Sequence, residues 1–154
     1  NGFMHRPMRH QGGAYGGGAS HDPNIAAFRF FSYRDPRLVE TLDDFDASII
    51  WLLETQHEQL ALEEAILSVM ASLDKPRSPA GEAKRDFHER LFGRTAEHRR
   101  ILRAGIVGTT LDDLRRVTET YLKPELASTA VITHTAGADI VAGSQLPLTR
   151  QDLL

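Results

Sequence analysis

Apolar positions alternate near the start of the chain and then fall into helical stripes. In "IAAFRFFSYRDP", residues 25–36, Phe28, Phe30 and Ser32 alternate loosely with Phe31 and Tyr33, and the "SHDPN" before it is turn chemistry. The pattern predicts an antiparallel hairpin, with strands at 14–20 and 25–34 and a turn at 21–24. Asp35-Pro36 then ends the second strand and starts a helix, with Asp35 as N-cap and Pro36 at the first helical position. Leu38, Leu42, Phe45, Ile49 and Leu52 recur at spacings of four and three, which makes one apolar stripe. A second stripe runs through Leu62, Ile66, Val69 or Met70, and Leu73.

"DKPRSP", residues 74–79, interrupts the stripes, with Ser78 and Pro79 as cap and first turn of a helix that carries Phe87, Leu91 and Phe92 and ends near Gly93. Thr95 opens a shorter helix with Ile101, Leu102 and Ile106 on its apolar side. Thr110 caps "LDDLRRVTETYL", where Asp112 and Asp113 favour the positive end of the helix. Leu111, Leu114, Val117 and Tyr121 form its expected buried face. "STAVITH", residues 128–134, reads as a short buried strand, and a last edge strand is predicted near 145–150. The order β-β-α-α-α-α-α-β gives the class α+β, an antiparallel sheet with helices packed on one face.

Composition narrows the picture. A chain of 154 residues fits a single domain over 1–154, with residues 1–10 expected to be a poorly ordered lead-in and 135–154 a weakly patterned tail. Hydrophobic content of 41% and charged content of 25% are those of an ordinary soluble domain. The strongest apolar run, Ile49 to Leu53, falls well short of the ~20 residues of a membrane span. The absence of cysteine excludes disulfides, thiolate zinc sites and cysteine nucleophiles. A net charge of −3 gives no general reason to expect nucleic acid or membrane as a partner, and neither is expected.

The charge is nevertheless uneven. Residues 36–74 hold one arginine against nine acids, and residues 75–123 hold twelve basic residues against seven acids. Arg99, Arg100, Arg103, Arg115 and Arg116 could form a phosphate-binding face. Acidic and basic helices lying against each other explain the same pattern and are preferred.

A self-sufficient active site is hard to find. No His-Glu-x-x-His or His-x-x-Glu-His is present, and "RTAEH" at 94–98 has an arginine where a ligand would be needed. His5, His10 and His21 crowd the glycine segment, but a tetrahedral zinc would still lack a fourth ligand. No serine lies in a Gly-x-Ser-x-Gly elbow, and "GGAYGGG" lacks the Gly-Lys-Ser/Thr of a phosphate loop. What remains are donors: the phenol of Tyr15 and the guanidinium of Arg9, six residues apart. Gly12, Gly13, Ala14, Gly16 and Gly17 around them leave backbone open to a guest peptide by strand addition. Two donors beside an open strand suit the developing oxyanion of peptide hydrolysis. A tyrosine packed in the core, an arginine in water and glycines easing strand curvature would satisfy the same pattern.

At this point "RHQGGAYGGGA", "FFSYRDP", "EEAILSVMASLDKPRSPAGEA" and "LFGRT" resemble the C-terminal end of the presequence proteases, a branch of the pitrilysin/insulinase (inverzincin) metallopeptidases. The resemblance runs in order from about residue 8 to about residue 133. It implies one of four α+β domains, arranged as two halves that close around a chamber. In such enzymes zinc is held in the first domain by His-x-x-Glu-His and a distal Glu, and the Glu of the motif activates the water. The last domain supplies an arginine and a tyrosine from Arg-x-x-Gly-Gly-Ala-Tyr, and Arg9 and Tyr15 stand at those positions here.

No zinc ligand of the family is present in the chain, so the resemblance implies a fragment; the start at Asn1 without a methionine fits either a processed front or a piece of something larger. Zinc would then be bound by a domain outside the chain, and the fragment would not hydrolyse peptides alone. The implied partners are a peptide substrate and the zinc-bearing N-terminal half, with an unpaired sheet edge inviting pairing between copies. A bacterial source implies the cytoplasm and a eukaryotic one an organelle. The competing reading within the family is a non-catalytic structural or partner subunit. Pro7, two residues before Arg9, would disturb a helix leading into the motif.

Overall fold

Gly16–Asp22 (β1) and Ala27–Tyr33 (β2) pair antiparallel, with Gly16 opposite Tyr33 and Asp22 opposite Ala27. The turn lies two residues later than the composition predicts. Asp22 accepts the Asn24 backbone N–H at 2.9 Å, an Asx turn, and Ala26 takes a positive φ of 50° to close the loop. His21 and Asp22 therefore join β1 instead of forming the turn. These elements belong to a computed structural model that describes residues 3–4, 8, 11–144, 146 and 148–151. Most of the predicted lead-in at 1–10 lies outside the described residues.

The chain forms two compact units, one taking the chain up to Thr55 and again from Thr118, the other spanning Gln56–Val117. In the first unit, Val39–Glu54 (α1) covers one face of the hairpin. Phe45 stacks on Phe30 with ring centroids 5.3 Å apart, and Phe28 meets Phe30 edge-on at 5.2 Å. Contacts of this geometry contribute about 0.5–1.5 kcal/mol beyond the apolar area they bury. Ile49 of α1 is buried with Met8, Ala14 and Val141, and Trp51 stacks on Phe3 at 5.5 Å. The predicted stripe of α1 is thus the side that faces the core.

Its predicted start is not observed. Leu38, not Asp35, holds the N-cap position, and no side chain caps the helix there. Asp35 cannot serve because its acceptors are taken: it binds the Ser32 and Thr41 hydroxyls at 2.7 Å each and the Arg37 N–H at 3.0 Å. These bonds fold residues 35–38 into a loop that ties the end of β2 to the first turn of α1.

The second unit is helical. Gln59–Leu73 (α2), Pro79–Leu91 (α3) and Ala96–Val107 (α4) follow in order, and the chain leaves the unit within Leu111–Tyr121 (α5). Capping is as the sequence predicts. Ser78 accepts from Gly81 N at 3.2 Å, and Thr95 accepts from His98 N at 3.1 Å. Thr110 and Asp113 bind each other's backbone N–H groups at 3.1 Å, a capping box with aspartate in the acidic position. Leu62 is buried, and Met70 rather than Val69 continues the stripe of α2. Arg103 of α4 grips Asp74 at the end of α2, and Arg99 of α4 binds Glu89 of α3. Phe87, Leu91, Phe92, Ile101 and Leu102 stay exposed.

Three expectations for the last third of the chain are corrected. On α5 the buried residue is Thr118, while Val117 and Tyr121 are exposed, so the expected apolar face does not face inward along its length. Residues 128–134 form no strand: among the described residues β1 and β2 pair only with each other, and Ile132 points into solvent, 87% exposed. The tail instead forms a helix, Thr135–Ala142 (α6), with Gly137 and Val141 buried. A methyl on Gly137 would stand 3.2 Å from the Leu38 side chain, so α6 packs close to the start of α1. No edge strand forms among the described residues near 145–150. The fold is α+β, and among the described residues no helix is long and apolar enough to cross a membrane.

Candidate functional site

The glycine segment leads straight into β1. Gly12 and Ala14 are buried, and Gly13 has φ +75°, a conformation that favours glycine over any residue with a Cβ. Ala14 N–H bonds Met8 O at 3.0 Å, and Tyr15 N–H bonds Arg34 O at 3.2 Å, which extends the hairpin by one pair. Tyr15 is 62% exposed. Its ring lies 5.7 Å from that of Tyr33, and the Arg34 guanidinium sits 5.3 Å from its centroid, within cation–π range.

The spaces left by the glycines are used from within the chain. A Cβ on Gly16 would come to 2.5 Å from the Tyr33 ring, which lies across the strand at that point. One on Gly17 would collide with the Met8 methyl and stand 2.8 Å from Phe31 O, and one on Gly12 would collide with the Arg37 guanidinium. The side-chain spaces at Gly12, Gly16 and Gly17 are therefore occupied. The strand edge away from β2 carries no partner strand among the described residues.

Of the two predicted donors, Tyr15 stands exposed at the head of the hairpin, and Arg9 lies outside the described residues, as do His5 and His10. His21 is exposed in β1 opposite Phe28. Among the described residues no three His, Asp or Glu side chains stand close enough to hold a metal. Among the described residues the cation over the Tyr15 ring is Arg34, which sequence reasoning did not single out. The signal for it lay in the pairing register, which sets residue 34 opposite residue 15. Phenol and guanidinium are both hydrogen-bond donors, so the pair presents positive potential to a carbonyl or carboxylate oxygen.

An apolar cleft of about 410 Å³ opens between β1, β2 and α1. Met8, Gly17, Phe28, Phe30, Ile49 and Trp51 are among its walls, and neither Tyr15 nor Arg34 lines it. The cleft and the exposed donors are separate features.

Comparison with known proteins identifies the family. The description "PreP C-terminal domain" matches residues 1–135. A mitochondrial presequence protease of Eremothecium gossypii is 39% identical over 120 residues, covering 77% of this chain and 12% of that protein. Presequence proteases of Saccharomyces cerevisiae and Mus musculus are 37% and 34% identical over 120 residues each, covering 77% and 78% of this chain and 12% and 11% of theirs. The chain is an α+β protein of peptidase ancestry, and it belongs to the PreP C-terminal domain family. It spans only a small part of the length of these relatives.

Proposed function

We propose that the chain is the C-terminal, substrate-facing domain of a zinc-dependent oligopeptidase that degrades unfolded peptides, in which Tyr15 donates a hydrogen bond to the carbonyl oxygen under attack. The observation that carries the reading is Tyr15 itself: it sits in the family's Gly-Gly-Ala-Tyr motif and projects into solvent from a backbone tied to Arg34. A phenol held in this way is set to stabilise the negative charge that develops on a carbonyl oxygen. Arg9, from the same motif, is the second donor, and the edge of the segment from Gly12 to Gly17 accepts the peptide backbone by strand addition. The zinc and its water belong to the rest of the longer protein, and the chain alone is inactive. The relatives are named as mitochondrial proteins, which favours an organellar location.

The test is Tyr15→Phe in the longer protein. Loss of one oxyanion donor is expected to lower kcat by about 100-fold or more. Zinc content, thermal midpoint and Trp51 fluorescence should stay as in the wild type. Wild-type turnover by this variant would remove Tyr15 from the chemistry.

A further inference from the structure

The segment that carries Tyr15 is anchored by a side chain with no part in the donor reading. The Arg37 guanidinium lies on Gly12 so closely that a Cβ there would have to push it aside. It is aimed there from two sides. Its Nη2 donates to Asp44 of α1 at 2.8 Å, and its Nε stands 3.9 Å from Asp35. Asp35 also binds the Arg37 backbone N–H and is itself fixed by Ser32 and Thr41. The Ser32 hydroxyl in turn lies 3.5 Å from Gly16 O, on the far side of Tyr15. The network therefore touches the chain on both sides of the tyrosine.

Such an anchor matters because of Gly13. Its left-handed backbone makes a natural pivot between Gly12 and Tyr15. With Gly12 seated under a planar cation, that pivot has one fixed end. Lysine would supply the charge but not the flat face.

We propose that Arg37, seated on Gly12 and held by Asp35 and Asp44, is a positioning residue that sets the direction of the Tyr15 hydroxyl. The proposal rests on the donor reading of Tyr15, so two readouts keep the two apart.

The first readout is amide hydrogen exchange on the 154-residue chain. In Arg37→Met and in Gly12→Ala, exchange at Ala14 and Tyr15 should rise about tenfold while the amides of α1 keep their protection. The double variant should show no further rise, because the methyl then enters space the guanidinium has left. Unchanged exchange at Ala14 and Tyr15, or an equal rise through α1, overturns the latch.

The second readout is kinetic, in the longer protein. Arg37→Met should lower kcat by about 10- to 100-fold with KM near the wild-type value, since a misplacement of about 1 Å is enough for such a loss. Arg37→Lys should recover thermal stability without recovering kcat. Combined with Tyr15→Phe, the Arg37→Met loss should vanish rather than multiply. Multiplying losses overturn the positioning role. If Tyr15→Phe alone keeps wild-type turnover, the donor reading fails, and hydrogen exchange still decides whether the latch exists.

Discussion

Asp35 shows how one residue decides the path of a chain. Burial pushes its carboxyl up, but the Ser32 and Thr41 hydroxyls, the Arg37 N–H and the Arg37 charge outweigh burial and hold it below the usual carboxylate range. A depressed folded value means that the stabilising contribution is complete above the unfolded value of about 3.9 and is lost as pH falls through the folded one. Asp35→Asn leaves one acceptor where there were two, and should destabilise the first unit by about 1–3 kcal/mol at neutral pH. Denaturant titrations followed by Trp51, the only tryptophan, should show the gap between variant and wild type closing as the pH drops below about 4. A gap independent of pH would remove the carboxylate from the account. At this same scale, the Asp35-Pro36 pair was legible as a break but not as a loop. Both hydroxyls that claim the carboxylate lie outside the dipeptide, one before it and one after.

Among the elements, the helices were the most legible, because caps and stripes are local. Ser78, Thr95 and Thr110 cap where their spacing to the following residues predicts. Thr110→Ala should cost about 1 kcal/mol, read as a lower melting midpoint of the helical circular dichroism signal. Strand register was less legible, since it depends on which residues close the turn. A turn at 21–24 would set Tyr15 opposite Phe30. The observed pairing sets it opposite Arg34, and this brings a cation onto its ring. Residues 128–134 have the composition of a strand, but composition supplies no partner, and among the described residues the segment joins no sheet. "TAGADIVA" was the reverse case. Its glycine, threonine and β-branched residues argue weakly for a helix, and packing of Gly137 and Val141 decides the matter.

Across the whole molecule, the uneven charge finds a local explanation. Arg99, Arg100, Arg103 and Arg116 each bind a carboxylate, from Glu89, Glu97, Asp74 and Asp113 respectively. Pairs this exposed contribute little to stability, but they lower the positive potential that a polyanion would meet. The chain should therefore leave the electrophoretic mobility of single- and double-stranded nucleic acid unchanged at low salt, and a salt-sensitive shift would contradict this account. The family was legible from ordered short motifs spread over most of the chain. Who fills the spaces at Gly16 and Gly12 was not, because those fillers, Tyr33 and Arg37, are distant in sequence and brought in by the hairpin and the loop after it.

Gly18 differs from its neighbours. A Cβ there would stay 3.8 Å from the Phe31 ring, an ordinary contact. The chain has no cysteine, so Gly18→Cys would give it one thiol, on the strand that Tyr15 leads into and on the face that carries Phe31 and Tyr33. A spin label or fluorophore attached there would report directly on whatever molecule comes to lie across that face, without disturbing the packed glycines that precede it.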